Sequence, residues 1–295
     1  MEPEQIHTPV LLEETIDFLH PVSGGLYVDG TMGMGGHSLA ILERSAPSGR
    51  LLALDWDEAA IAQGRKRLSG YLGRHEIIRS NFAKLTDILA ERETLQIDGL
   101  LIDLGLSSLH LDCGSRGFSF RKDEPLDMRM DTRRKRTAAE LVNGCTEDEL
   151  ADIFYFYGEE RQARPMAAAI VRERERQYIG SSLLLAEILF GAVPRKYHPD
   201  KIHVATRAFQ ALRIAVNGEL ENLAGILDHA AGVLRTGARF CVISFHSLED
   251  RMVKIKFKEN RKLKVLTPKP VTAGVMELAN NPRARSAKLR VAEKI

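Results

Sequence analysis

The chain has 295 residues, with 44% hydrophobic and 28% charged side chains, which is typical of a globular protein with one large domain or two smaller ones. This composition excludes a disordered chain, a collagen and a small disulfide-stapled protein. The formal charge of +2 hides an asymmetry, because residues 251–295, called the basic tail below, carry thirteen basic and three acidic side chains. The basic tail has a net charge of +10 and residues 1–250 carry −8, which favours a partner with phosphate groups.

The spacing of the cysteines and the first residues of the sequence indicate the cellular compartment. Cys113, Cys145 and Cys241 lie too far apart for a Cys-x-x-Cys metal site, and a disulfide framework is not expected in so long a chain. Residues 1–8 are acidic and polar, and no apolar run reaches the length of a membrane span. We therefore expect a soluble cytoplasmic protein without a membrane segment or a bound metal. The sequence leaves the oligomeric state open, a homodimer included.

From about residue 25, short apolar runs alternate with helical patterns. Buried strands are predicted at 26–29, 51–55, 76–79 and 98–103, with helices near 57–68 and 82–89 between them. Strands that alternate with helices indicate βαβ units and a parallel sheet. We therefore predict an α/β fold.

The alternation stops after Asp103. Residues 135–215 show only helical patterns, and strand patterns return at 239–244 and 289–292 after a helix near 218–234. The simplest organisation is an α/β domain formed by residues 1–112 and 215–295. A mostly helical insertion domain for substrate recognition, residues 113–214, interrupts it.

A glycine-rich turn, Asp29-Gly30-Thr31-Met32-Gly33-Met34-Gly35-Gly36-His37, follows the first predicted strand. Glycines let the backbone approach a ligand closely, and amides at the start of the next helix can face that ligand. Asp55 ends the second strand, 20 residues after Gly35, where a carboxylate can accept the ribose hydroxyls of an adenosine group. Such a turn alone can be purely structural, but together with Asp55 it predicts a nucleoside-cofactor site.

The sequence of the turn also distinguishes between the candidate cofactors. The dinucleotide fingerprint has a third glycine where this chain has Ser38, and no Lys-Ser/Thr pair follows as in a P-loop. S-adenosylmethionine is therefore preferred over a nicotinamide. A nicotinamide-dependent oxidoreductase stays the alternative, although the chain has no obvious Tyr-x-x-x-Lys pair for hydride transfer.

Asp103 ends the fourth predicted strand and begins the sequence Asp-Leu-Gly-Leu-Ser-Ser. In open α/β sheets, the carboxyl ends of the central strands line the ligand crevice. Asp103 is therefore predicted to face the cofactor and the substrate. The alternative is that it only caps the turn through Ser107 and Ser108.

Seven motifs in chain order resemble those of the bacterial 16S rRNA cytosine-N4 methyltransferases, the RsmH or MraW family. They are Asp29–His37, Asp103–Ser108, Arg116–Phe120, Pro125–Asp131, Tyr157–Arg161, Ser244–Arg251 and Asn281–Ser286. The resemblance begins near His7 and covers nearly the whole chain. It implies a class I, Rossmann-like, S-adenosylmethionine-dependent methyltransferase. Its substrate would be the N4 amine of one cytosine in the decoding site of 16S rRNA, within the small ribosomal subunit.

The resemblance also implies which residues bind the cofactor. They are Gly33, Gly35, Gly36, His37, Asp55, Phe82, Asp103 and His110. The exocyclic amine of cytosine is a poor nucleophile because its lone pair is delocalised into the ring, so the enzyme must accept a hydrogen bond from it. We predict that Asp103 is this catalytic acceptor and also touches the cofactor.

Further residues are candidates for contact with rRNA. The target base must leave its stack, and Phe118 or Phe120, with Arg116 nearby, could stack on it; the alternative is that both rings pack in a core. Arg129 lies between two aspartates, so an ion-pair lattice is as consistent with the sequence as a substrate contact. His246 is equally consistent with a core histidine and with a substrate-facing one.

Two basic segments are predicted to meet rRNA phosphates. One is the four-cation run at 133–136, and the other is the basic tail, in particular Lys258, Arg261 and Lys262. A non-catalytic RNA-binding or assembly factor would show the same charge pattern, and it stays the third functional alternative.

Overall fold

The computed structural model describes residues 9–106 and 115–295. Its strands are β1 (Leu26–Asp29), β2 (Arg50–Asp55), β3 (His75–Arg79), β4 (Ile97–Asp103), β5 (Leu234–Ser244), β6 (Leu263–Val265) and β7 (Lys288–Lys294). Its helices are α1 (Leu12–Leu19), α2 (Gly36–Arg44), α3 (Glu58–Arg67), α4 (Leu85–Glu91), α5 (Ala138–Gly144), α6 (Glu147–Gly158), α7 (Ala163–Arg174), α8 (Ser182–Ala192), α9 (Thr206–Asn217), α10 (Glu219–His229), α11 (Ser247–Glu259) and α12 (Val275–Asn280).

The strands form one seven-stranded sheet in the order β3-β2-β1-β4-β5-β7-β6. Strands β1 to β5 are parallel, and β7 runs antiparallel between β5 and β6. The predicted α/β fold is confirmed, as are the six predicted strands. Strand β6 was not predicted, because its three residues lie within a run of cations and carry no clear apolar pattern. The strand order reverses between β1 and β4, and this switch point is where such sheets bind ligands.

Alternate residues of the central strands fill two apolar cores. Val28, Leu100 and Ile102 belong to one core, whereas Tyr27 and Leu101 belong to the other. Successive side chains of a strand point to opposite faces, so both faces of the sheet are covered, as expected of parallel strands. Because both faces of these strands are buried, their sequences are nearly continuous apolar runs, and those runs predicted the strands.

The chain divides into two compact units. The sheet unit comprises Met1–Ser107 and Leu220–Ile295, and the helical unit comprises Ser108–Glu219. The predicted insertion, residues 113–214, falls within the helical unit. In that unit, α5 and α6 both begin with a capping box, in which a threonine and the glutamate three residues later satisfy each other's backbone N–H groups. No helix in the described ranges has the length and apolar content of a membrane span.

Candidate active site

The glycine-rich turn lies at the switch point and is tied to β4. The Gly30 N–H donates to the Leu101 carbonyl at 2.9 Å. The Asp103 N–H donates to Thr31 Oγ1 at 2.6 Å. These two hydrogen bonds fix the turn against the carboxyl end of β4, so any ligand held by the turn also lies near Asp103.

Two glycines of the turn are required by geometry. A Cβ at Gly36 would lie 2.2 Å from Cγ of Pro9, and Gly35 has a φ of +79°, which L side chains rarely adopt. Gly35 is also the N-cap of α2, and it has no side chain to accept hydrogen bonds from the first turn. The first amides of α2 therefore suit an acceptor atom of a ligand.

Asp55 ends β2 and connects that strand to the turn. Its Oδ2 accepts from the Gly33 N–H at 2.8 Å, and its Oδ1 accepts from the Asp57 N–H at 2.9 Å. Backbone donors thus orient the carboxylate, and each carboxylate oxygen can accept two hydrogen bonds. This fixed carboxylate at the end of β2 suits a diol such as that of a ribose.

Asp29, which the sequence did not single out as a site residue, is a buried carboxylate at the end of β1. It accepts from Ser38 Oγ at 2.7 Å and from the Thr31 N–H at 3.1 Å. Burial raises the pKa of Asp29 to about 6, although these two hydrogen bonds lower it. The signal that could have found it is its position, because Asp29, Asp55 and Asp103 each end a parallel strand.

The raised pKa of Asp29 predicts a pH-dependent contribution to stability. The folded protein holds this proton more tightly than the unfolded chain, so the stabilisation is full below about pH 4 and is lost as the pH rises through about 6. The variant Asp29→Asn cannot titrate. We expect the free energy of unfolding of the wild type, relative to this variant, to fall across that range in urea titrations; a constant difference would contradict the prediction.

Asp103 is the least satisfied carboxylate of the site. Its Oδ2 lies 3.7 Å from Nδ1 of His37, and its buried Oδ1 has no hydrogen-bond partner among the described residues. Burial, and then the charges of Asp29 and Glu249, raise the pKa of Asp103 well above its usual value. A buried carboxyl oxygen without a partner costs free energy, and such atoms often mark a position completed by a ligand.

His37 is oriented by the chain segment before α1. Its Nε2 donates to the Val10 carbonyl at 3.0 Å, because a carbonyl can only accept. That bond assigns the hydrogen of a neutral ring to Nε2 and leaves Nδ1 facing Asp103. His37 is thereby a buried polar neighbour of the Asp103 carboxyl.

The segment between β5 and α11 brings His246 and Glu249 to the same edge of the sheet. Glu249 and His246 form a capping box for α11: His246 Nδ1 accepts from the Glu249 N–H at 3.5 Å, and Glu249 Oε2 accepts from the His246 N–H at 3.3 Å. The same Glu249 oxygen also accepts from the Phe245 N–H at 2.8 Å. His246 Nε2 lies 3.1 Å from Glu249 Oε1, but without the angles of a hydrogen bond. His246 thus lies at the carboxyl edge with its side chain 10% exposed, and the core and substrate-facing alternatives both agree with this placement.

The structure brings most of the predicted cofactor residues together. Gly33, Gly35, Gly36, His37, Asp55 and Asp103 lie at the carboxyl ends of β1, β2 and β4. Phe82 follows β3, is 7% exposed, and lies beside the turn, since a Cβ at Gly30 would be 2.9 Å from its Cβ. Four residues considered from the sequence, His7, Ser107, Ser108 and His110, lie outside the described residues, as does Cys113.

In the helical unit, the two candidate stacking rings differ in their surroundings. Phe118 is 8% exposed, and the Arg116 guanidinium lies 5.5 Å from its ring centroid. Phe120 is half-buried and contacts His203 and Phe209 at centroid distances of 4.8 and 4.9 Å. The burial of Phe118 favours the packing alternative for that ring, whereas Phe120 reaches an aromatic cluster.

Arg129 is held by its own segment. Its guanidinium forms a bidentate ion pair with Asp127 at 2.7 Å, and Nη1 donates to the carbonyls of Thr132 and Arg134. The hydrogen bonds lower the pKa of Asp127 despite its partial burial. Of the two alternatives for Arg129, this geometry favours the stiffening ion pair over an rRNA contact.

The basic tail contains both structural and exposed cations. The buried Arg290 and the half-buried Lys288 pair with Asp250 at 2.6 and 3.1 Å. In contrast, Lys258, Arg261 and Lys262 are exposed and have no acidic partner among the described residues. Within the same residues, no group of three or more His, Cys, Asp or Glu could hold a metal ion.

Comparisons with known proteins show what the whole chain is similar to. The sequence profile described as the MraW methylase family matches residues 4–295. Ribosomal RNA small subunit methyltransferase H of Desulfotalea psychrophila is 59% identical over 295 residues, with 100% of both chains covered. The protein of the same name from Geobacter sulfurreducens is 48% identical over 307 residues, covering 98% of this chain and 99% of the other. The solved structure of an S-adenosylmethionine-dependent O-methyltransferase from Thermotoga maritima matches with a TM-score of 0.45 and 13% identity, over 100% of this chain and 68% of that one.

Proposed function

Because the chain belongs to the MraW methylase family, and is thus a methyltransferase that uses S-adenosylmethionine, we propose that it methylates rRNA of the small ribosomal subunit. The target would be the N4 amine of a cytosine in the decoding site of 16S rRNA. The relatives' names support the rRNA substrate, and the seven motifs support the cytosine and its position. Such a substrate makes the cytoplasm the place of action.

The chemistry of the site fits the cofactor. Asp29 and Glu249 are buried carboxyl groups near the half-buried Asp103. After burial, their charges contribute to the raised pKa of Asp103, so the site favours a ligand that carries positive charge. S-adenosylmethionine carries its methyl group on a positively charged sulfonium. The backbone of the glycine turn, where Gly36 packs against Pro9, would contact S-adenosylmethionine directly. Asp55 would accept hydrogen bonds from the ribose hydroxyls of the cofactor.

The observation that carries the proposed reaction is the buried Asp103 Oδ1, for which the described part of the chain offers no hydrogen-bond partner. A carboxylate oxygen there can accept a hydrogen bond from the amine of cytosine. Acceptance localises the lone pair on nitrogen, which makes the amine a better nucleophile, and the carboxylate is then placed to receive the proton. Asp103 is therefore the proposed catalytic acceptor.

The function is tested by methyl transfer from labelled S-adenosylmethionine to small subunits isolated from cells that lack the modification. We expect label in one segment of 16S rRNA by nuclease mapping, and N4-methylcytidine by nucleoside mass spectrometry. Label on another base would refute the proposed position. Subunit binding without any label would favour the non-catalytic assembly factor.

The assignment of Asp55 predicts a change in cofactor affinity. We expect Asp55→Ala to weaken S-adenosylmethionine binding by about 10-fold or more, since a charge-assisted hydrogen bond contributes roughly 1.5–3 kcal/mol. Calorimetric titration measures the effect. Asp57→Ala is the control, because Asp57 caps α3 through the Ala59 N–H and its loss should lower stability without changing cofactor affinity. Equal affinities of the Asp55 variant and the wild type would contradict the prediction.

A further inference from the structure

An array of contacting rings lies on the helical unit, two of them exposed, and Phe120 joins it from a distant part of the sequence. Phe190 and His203 stack with an interplanar angle of 16° and a centroid distance of 5.7 Å. Phe120 contacts the same imidazole at 4.8 Å, and His198 contacts Phe190 at 4.9 Å. Phe190 is 43% exposed, and His203 is exposed as well. Rings grouped and exposed in this way mark an interaction surface more often than a core.

Exposed cations lie in the chain segment between two of the rings, Phe190 and His203. Arg195, Lys196 and Lys201 are exposed and have no acidic partner among the described residues. The Lys196 ammonium lies 4.8 Å from the centroid of Tyr197, which is 51% exposed. Only one carboxylate, Asp200, occurs between residues 195 and 203. The surface is therefore both aromatic and positively charged.

We propose that this aromatic-basic surface, formed by Phe190, Tyr197, His203, Arg195, Lys196 and Lys201, binds a single-stranded segment of the rRNA substrate outside the target cytosine. The inference rests on the proposed function and adds a second contact, because Asp103 belongs to the sheet unit. Aromatic faces stack on unpaired bases, and neighbouring cations meet the phosphates between them. A duplex does not fit, since its base faces are covered, and an apolar protein partner does not need the cations.

The test measures binding of a single-stranded RNA of roughly 20 nucleotides around the target cytosine, a length that exceeds one stacking site. We expect Phe190→Ala with Tyr197→Ala to raise its Kd about 30-fold or more, since each lost base stack costs about 1–3 kcal/mol and the variant removes two rings. Replacing Arg195, Lys196 and Lys201 by Gln should lower the slope of log Kd against log salt by about 2, since each phosphate contact contributes about 0.7. Phe190→Tyr retains the ring and should bind as the wild type does.

The control is Tyr178→Ala, which removes another exposed ring of the helical unit, 65% exposed and outside the array. Its Kd should not change, and S-adenosylmethionine affinity should be the same in all variants. An unchanged Kd in the Phe190 and Tyr197 variant, or an equal rise in the Tyr178 control, would overturn the inference. Failure of the proposed function is distinguishable, because wild-type protein would then form no N4-methylcytidine on small subunits.

Discussion

Replacing Asp103 by Asn is expected to lower kcat for methyl transfer by about 100- to 10,000-fold, the usual contribution of a positioned acid or base. The amide keeps the size of the side chain but cannot take a proton from the amine. The main-chain bond from Asp103 N–H to Thr31 does not involve the side chain, so the turn should keep its place. Single-turnover rates with saturating cofactor and unmodified small subunits measure the effect.

The pH dependence gives this prediction a second readout. Because burial and neighbouring carboxylates raise the pKa of Asp103, its acceptor form increases only as the pH rises through that raised value. We expect the wild-type rate to rise with pH over this range. The residual rate of Asp103→Asn should show no such rise. Retention of the rise in the variant would assign the titration to another group.

Asp98→Asn is the matched control for this substitution. Asp98 lies near the opposite end of the same strand, where it accepts from the Leu26 N–H and pairs with Arg235. This change should affect stability but not the rate under saturating conditions. Full activity in Asp103→Asn, or an equal loss in Asp98→Asn, would refute the catalytic role of Asp103.

Reversing the charges of Lys258, Arg261 and Lys262 to Glu is expected to raise KM for small subunits by about 100-fold at 0.1 M salt. Each lost phosphate contact lowers the slope of log affinity against log salt by about 0.7–0.9, so three contacts contribute about 100-fold in affinity at 0.1 M relative to 1 M salt. The three side chains are exposed and lack acidic partners among the described residues, so their charges are available to bind phosphate groups. Steady-state kinetics with graded salt measure the change. Affinity for S-adenosylmethionine, measured by calorimetry, should stay constant.

A control with the same total charge change separates local from global electrostatics. Reversing Arg65, Lys66 and Arg67 to Glu changes the last turn of α3 in the same unit by an equal amount. We expect only a small rise in KM from this variant. Equal rises in both variants would show a general charge effect, and a parallel loss of cofactor affinity in the basic-tail variant would refute its role in rRNA docking.

The sequence by itself predicted the parallel sheet, and it predicted a cofactor site at the glycine turn. Doubly buried strands need apolar runs, and the close approach at Gly36 needs glycine, so both leave local patterns that can be read without a structure. The strand-ending positions of Asp55 and Asp103 follow from the same patterns. The motif resemblance then gave the family, which the profile match confirms.

Only the tertiary structure decided what each polar or aromatic side chain touches. The strand pattern places Asp103 at the carboxyl edge of the sheet, but its raised pKa depends on burial and on the charges of Asp29 in β1 and Glu249 in α11. Similarly, Phe120 and His203 meet through folding of the helical unit. Burial, hydrogen bonding and charge are set by neighbours that are distant in sequence, whereas a local pattern records only which face of an element is apolar.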